Sequence, residues 1–175
     1  MNHLESVKKP KISVGIIALN EEDYLPDMLS CIQAQDYPHH LIQVVLVDSG
    51  SEDATPRIMK DFAAQATDFE SVTLLPNPGK TLPKGFNLFL NSATGDIIVR
   101  LDAHARIPNI FLSQMVTVLQ EGEDVVGGPR PTVTPKNATD WQRVLHTVEE
   151  SMFGASIAKY RGKSKSGSNA PQYVK

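Results

Sequence analysis

Four times along this chain a short run rich in Val, Ile and Leu gives way to an amphipathic stretch, with a polar residue one or two positions beyond the end of each run. The runs are Ile12–Leu19, Ile42–Val47, Val72–Leu75 and Ile97–Leu101. They have the length and β-branched content of buried strands. Between them lie faces at helical spacing: Leu25, Met28, Leu29 and Ile32; Ile58, Phe62 and Ala66; Leu82, Phe86, Phe89, Leu90 and Ala93. Strand and helix in alternation, with short connections, imply parallel β-α-β units in an α/β fold with helices on both faces of the sheet. Right-handed crossovers then bring every strand's C-terminal end to one edge. Asn20, Asp48, Asn77 and Asp102 all fall there, and open α/β sheets bind their ligands along that edge.

The segments around this core are less regular. Residues 1–11 are polar and read as a leader. Asn20 is expected to cap the first helix, and Glu52 and Asp53 to begin the second. A fourth helix follows Pro108-Asn109, with Leu112, Met115, Val116 and Leu119 inward. Asp124–Gly128 is expected to form a short fifth strand. Trp141, Val144, Leu145, Val148 and Met152 fit one more amphipathic helix. Residues 161–175 are rich in Gly, Ser and Lys, without periodicity, and are expected to be a mobile loop. The organisation is therefore a leader (1–11), an α/β domain (12–130) and a helix plus loop (131–175). No closing element follows that loop, the pattern of a domain cut short.

Composition narrows the function classes. A formal net charge of −3 disfavours a general nucleic-acid binder. Cys31 is the single cysteine, so no intrachain disulfide forms and a reducing, cytoplasmic setting is expected. No apolar stretch approaches the ~20 residues of a membrane helix, so membrane association would come through residues outside this chain. The chain has neither a Gly-x-Gly-x-x-Gly after the first strand nor a Walker-type phosphate loop. It also lacks zinc-ligand spacing and a Gly-x-Ser-x-Gly nucleophile elbow.

What remains is a rim of acids, amides and lysines. Asp48 is placed either to accept hydrogen bonds from a base or ribose, or to cap a helix. Asp102 and His104, one residue apart past a strand end, can aim at one small volume and hold a divalent cation against a diphosphate. Oxygen ligands suit Mg²⁺ or Mn²⁺, and an imidazole tilts the choice to Mn²⁺. Lys80 and Lys84 are placed either to neutralise phosphate or to sit in solvent. Arg100 shares a strand face with Asp102 and can pair with it.

These segments together resemble the N-terminal, nucleotide-sugar-binding part of a family 2 glycosyltransferase of the GT-A fold, with its Rossmann-like, mostly parallel sheet. The carriers are Val14–Glu22, Val47–Asp53, Lys80–Asn87 and Gly95–His104. The resemblance covers residues 12–130 well and 131–175 weakly. It implies that Asn20 and Glu22 meet the nucleotide from the first loop. It places Asp48 against the base, commonly uracil, Lys80 as a basic contact and Asn87 as part of the same pocket. Asp102 stands for the first acid of the family's Asp-x-Asp motif, which meets ribose and metal. His104 stands where the second acid would be, a departure that removes one negative charge from the metal site. The Asp-Ala-His form is similar to bacterial exopolysaccharide glucosyltransferases of the succinoglycan type.

The activity implied is inverting transfer of a sugar, glucose by this similarity, from a UDP-sugar to a glycan or lipid-linked acceptor, at the cytoplasmic face of the inner membrane. Residues 131–175 would open the acceptor side. The family's general base lies further downstream, past Lys175. Glu149 and Glu150 are the last acids of the chain, and a helix with a solvated face accounts for them. Two other readings stay open: a nucleotide-sugar-binding module without turnover, and a receiver-like signalling domain. The second would want an acidic pair after the first strand and an Asp where Asn77 stands.

Overall fold

A computed structural model describes residues 9–127 and 139–150. The described residues form two compact units: residues 9–29 with 37–103, and residues 30–36 with 104–127 and 139–150.

The first unit is built on four parallel strands, β1 (Ile12–Ala18), β2 (Ile42–Asp48), β3 (Ser71–Pro76) and β4 (Ile97–Asp102), in the order β3-β2-β1-β4. β1 and β2 are buried along nearly their whole length, which is why they read as continuous apolar runs. The outer strands β3 and β4 are only partly covered. The helices are α1 (Leu25–Gln33), α2 (Thr55–Gln65) and α3 (Leu82–Ser92). The chain steps one way from β1 to β3 and then returns past β1 to β4. Right-handed crossovers therefore put the first two helices on one face and α3 on the other. On the α3 face Phe89 is fully buried against Val45 and Val47, with Ile17, Leu75 and Phe86 around it. Gly15 makes room for that ring: a Cβ there would lie 2.4 Å from Phe89.

Several expectations change in the structure. The leader is anchored at its end. Lys11 donates its backbone N–H to Asp96 (2.9 Å) and pairs with Glu70, and Pro10 accepts the Tyr37 hydroxyl at 2.6 Å. Met59 is the deeply buried side chain of α2, one position from the Ile58 stripe. On α3, Leu82 and Leu90 are exposed, and Phe89 carries the packing. Residues 124–127 of the expected fifth strand take no strand conformation, and Val125 is 86% exposed. A strand needs a neighbouring ladder, and Asp and Gly favour turns there. Gly128 lies outside the described residues.

In the second unit α4 (Phe111–Gln120) buries Phe111, Leu112, Met115 and Val116. Gln35 closes its start: Oε1 accepts the Leu112 N–H (3.0 Å), and Nε2 donates to the Pro108 carbonyl (2.9 Å). α5 (Asp140–Glu150) leaves Trp141, Val144, Leu145 and Val148 exposed. Met152 and the loop of residues 161–175 fall outside the described residues. No helix among the described residues is long and apolar enough to cross a membrane.

Candidate nucleotide-sugar site

The loops that leave β1, β2 and β3 are tied to one another at the C-terminal edge of the sheet. Asn20 does not cap a helix. It adopts φ 55°, and α1 starts five residues later. Its N–H donates to Ser51 Oγ (3.0 Å), and its Oδ1 accepts the Glu52 N–H (2.9 Å). Asn tolerates this left-handed conformation better than most residues, and its short amide reaches the next loop. Glu22 is bound to the same neighbour. Its N–H donates to Asp53 Oδ2 (3.0 Å), and its Oε2 accepts the Ala54 N–H (2.9 Å) at the entry to α2. Glu21 N–H donates to Thr55 Oγ1 (2.8 Å). Five consecutive positions of the β2 exit, Ser51 to Thr55, are thus braced by the β1 exit.

Asp53 is the electrostatic centre of this brace. Desolvation pushes its carboxyl up, but hydrogen bonds from Thr55, through side chain and backbone, and from the Glu22 N–H outweigh it. Its pKa is held below the ordinary carboxylate value.

Asp48 ends β2 beside Ala18 of β1 and Pro76 of β3. Its Oδ1 accepts the Ser51 N–H at 3.1 Å, which closes a local turn. α2 begins seven residues further on, so Asp48 is no helix cap. Ser49 N–H donates to the Ala18 carbonyl (2.9 Å), and Asn77 N–H to the Asp48 carbonyl (2.7 Å). Gly50 takes φ 83°. A Cβ on it would stand 3.1 Å from Lys80 Cε and 3.5 Å from Nζ. The Lys80 side chain therefore lies along the β2 exit. Lys80 is itself left-handed, φ 53°. Asn20 and Lys80 are the non-glycine residues with positive φ among the described residues, and both stand on this rim. Such strain tends to gather at ligand sites. Lys84 runs over Gly79, where a Cβ would meet its Cδ at 2.1 Å.

On the far side of β1, Asp102 ends β4 level with Ile17. The pleat therefore puts Asp102 on the α3 face and Asp48, level with Ala18, on the other. The two carboxylates flank the β1 exit, about 10 Å apart at Cα by two strand spacings. Arg100 Nη2 donates to Asp102 Oδ1 at 2.7 Å, the pairing expected from strand alternation. His104 follows two residues on and belongs to the second unit. Among the described residues no group of three His, Cys, Asp or Glu forms a ready metal cage. Asn87 is exposed on α3 and is not one of the residues knotted together at the rim.

The structure thus joins Asn20, Glu22, Asp48 and Lys80 in one network and sets Asp102 on the same edge. Sequence reasoning missed Ser51 and Thr55 as braces, because their partners lie some 31 to 34 residues away. Leu19, beside Asn20, is 48% exposed.

This edge has counterparts in known proteins. The chain is 32% identical over 161 residues to the undecaprenyl-phosphate 4-deoxy-4-formamido-L-arabinose transferase of Proteus mirabilis, a match that takes in 88% of this chain and 45% of that protein. The chain therefore spans less than half the length of that relative. Among solved structures, the mannosyltransferase PcManGT from Pyrobaculum calidifontis in complex with GDP-Man and Mn²⁺ aligns with TM-score 0.62 and 30% identity, over 79% of this chain and 39% of that one. S. aureus TarS 1–349 in complex with UDP aligns with TM-score 0.58 and 26% identity, over 74% and 37%. The α/β sheet is that of the GT-A glycosyltransferases. Residues 13–172 match the family described as glycosyl transferase family 2, and the chain belongs to that family.

Proposed function

We propose that this chain is the donor-binding part of an inverting glycosyltransferase that uses a UDP-sugar, with glucose as the sugar, and a lipid-linked or glycan acceptor. The observation that carries the reading is the cross-bonded rim, in which three strand exits hold Asn20, Asp48 and Lys80 together. The base end of the nucleotide lies against Asp48 and Lys80. Asp48 accepts an N–H and Lys80 donates to a carbonyl, a pair that suits uracil. The UDP in the TarS complex supports that choice. Leu19 offers an apolar surface beside it. The ribose and diphosphate extend across the β1 exit towards Asp102. Asn20 and Glu22 hold the wall between, and Asn87 is assigned to the outer side of the pocket.

The residues present fit a divalent cation that arrives with its nucleotide. Asp102 would supply one carboxylate to it beside the nucleotide diphosphate, and His104 is the second candidate ligand that the family resemblance offers. Mg²⁺ and Mn²⁺ are commonly held in this way, by one or two carboxylates plus phosphates. The imidazole favours Mn²⁺, the ion in the PcManGT complex. Bound there, the cation neutralises charge on the departing diphosphate. Arg100 holds the Asp102 carboxylate in place and shares its charge. The name of the Proteus mirabilis relative supports a lipid-linked acceptor. Work on such an acceptor places the reaction at the cytoplasmic face of the membrane.

Calorimetric titration with UDP, with and without Mn²⁺, tests the reading. Saturable heat that strengthens with Mn²⁺ is expected. No heat at millimolar UDP in either condition refutes it.

A further inference from the structure

Asn77 is a buried polar residue at the rim that this assignment does not use. It is 2% exposed and follows β3. Its backbone N–H donates to the Asp48 carbonyl (2.7 Å), and its carbonyl accepts the Lys80 N–H (3.1 Å). Its Nδ2 donates to Ser49 Oγ and to the Thr81 carbonyl, both at 3.0 Å. A carbonyl can only accept, so the Thr81 bond fixes which end of the amide is nitrogen. The Oδ1 is then turned into the interior with no hydrogen-bond partner among the described residues. Leaving a buried acceptor unpaired is unfavourable. The side chain keeps that cost for the bonds its nitrogen makes. Those bonds tie the β2 exit at Ser49 to Thr81, the residue after Lys80 at the start of α3, and so pin the turn that carries Lys80. Gly85 is the tight fit on the helix side, where a Cβ would lie 3.1 Å from Nδ2.

We infer that Asn77 is a positioning residue for base selection: it holds Lys80 in its left-handed conformation across Gly50, so that an ammonium and the Asp48 carboxylate are presented side by side. The inference rests on the UDP reading above. Asp48 Oδ1 is engaged by Ser51, which leaves Oδ2 to face a ligand. An acceptor beside a donor matches the N–H and adjacent carbonyl of uracil. Cytosine presents the opposite order on that edge, a ring nitrogen that accepts beside an amino group that donates. Misplacing Lys80 therefore removes discrimination between the two pyrimidines more than it removes binding as such.

The test is titration of the unmutated chain, Asn77→Ala, Lys80→Ala and the double variant with UDP and with CDP, with a thermal melt for each. The unmutated chain is expected to prefer UDP. In Asn77→Ala the UDP affinity falls about tenfold, the worth of one charge-assisted hydrogen bond, while CDP changes by less than about twofold. The double variant matches Lys80→Ala, because the two residues act as a unit. An equal loss for both nucleotides, an unchanged preference, or additive losses overturns the inference. If Asn77→Ala does not fold, Ser49→Ala replaces it. That variant removes one Nδ2 partner and leaves the backbone bonds, so a smaller loss confined to UDP is expected. An unaltered UDP:CDP ratio there overturns the inference. Absence of any nucleotide binding by the unmutated chain defeats the donor-site reading and this inference together. Binding with selectivity intact in every Asn77 and Ser49 variant defeats the inference alone.

Discussion

The Lys80 side chain lies across Gly50: a Cβ on that glycine would stand 3.1 Å from Lys80 Cε. Both residues have positive φ, 83° and 53°. Two strand exits therefore meet at a point where one side chain is absent so that another can pass. Gly50→Ala removes that space and forces an alanine into left-handed geometry. A loss of about 1–3 kcal/mol is expected from the backbone strain alone. Equilibrium denaturation checks it, and UDP titration of the folded fraction should show weaker binding than the unmutated chain.

Asn20 combines a left-handed backbone with a side chain bonded to the Glu52 N–H. Asn20→Ala loses both advantages, at a cost of about 1–3 kcal/mol. Asn20→Gly keeps the backbone conformation and loses only the bond, so it is expected to be the more stable of the two. Denaturant midpoints for the pair decide this. Equal stability would contradict the role given to φ.

Asp53 has a carboxyl pKa held below its ordinary value, with hydrogen bonds from Thr55 and the Glu22 N–H outweighing desolvation. A carboxyl depressed on folding contributes stability above its unfolded value, near 3.9. That contribution is lost as pH falls through the folded value. Asp53→Ala is therefore expected to melt at a lower temperature than the unmutated chain at neutral pH. The gap should close in acid. Melting curves across pH check this, and a gap independent of pH would contradict it.

Gly15 lies in the middle of β1 with the Phe89 ring above it, and an added Cβ would come within 2.4 Å of the ring. Gly15→Ala is expected to cost about 1–3 kcal/mol by overpacking. Gly15→Ala with Phe89→Leu in one chain should recover part of the loss, measurable as a rise in denaturant midpoint over Gly15→Ala alone.

The sheet was legible in the sequence because its inner strands are buried on both faces. β1 and β2 appear as unbroken apolar runs, and their polar terminations mark the C-terminal edge of the sheet. The helix faces were legible where one side packs, as with Met28 and Phe89, and less so where a stripe is wide. Ile58 stood in for Met59, and Leu82 and Leu90 turned out exposed. The expected strand at 124–128 rested on two valines between residues that favour turns. The role of Asn20 was misassigned as a cap because capping is a local rule, and its actual partners, Ser51 and Glu52, lie one loop away. Asn77 was visible as a strand exit. Its bonds to Lys80 and Thr81 belong to a local turn, but the bond to Ser49 is tertiary, and no spacing rule announces it.

The account as a whole depends on ligand contact at the C-terminal edge of the sheet. Backbone amide NMR shifts during titration with UDP test this most directly. The account predicts changes concentrated at Asn20, Ser49–Glu52 and Lys80, with residues of the opposite edge such as Lys11, Gln43 and Gly95 unmoved. Changes centred on that opposite edge, or none anywhere at saturating nucleotide, would contradict it.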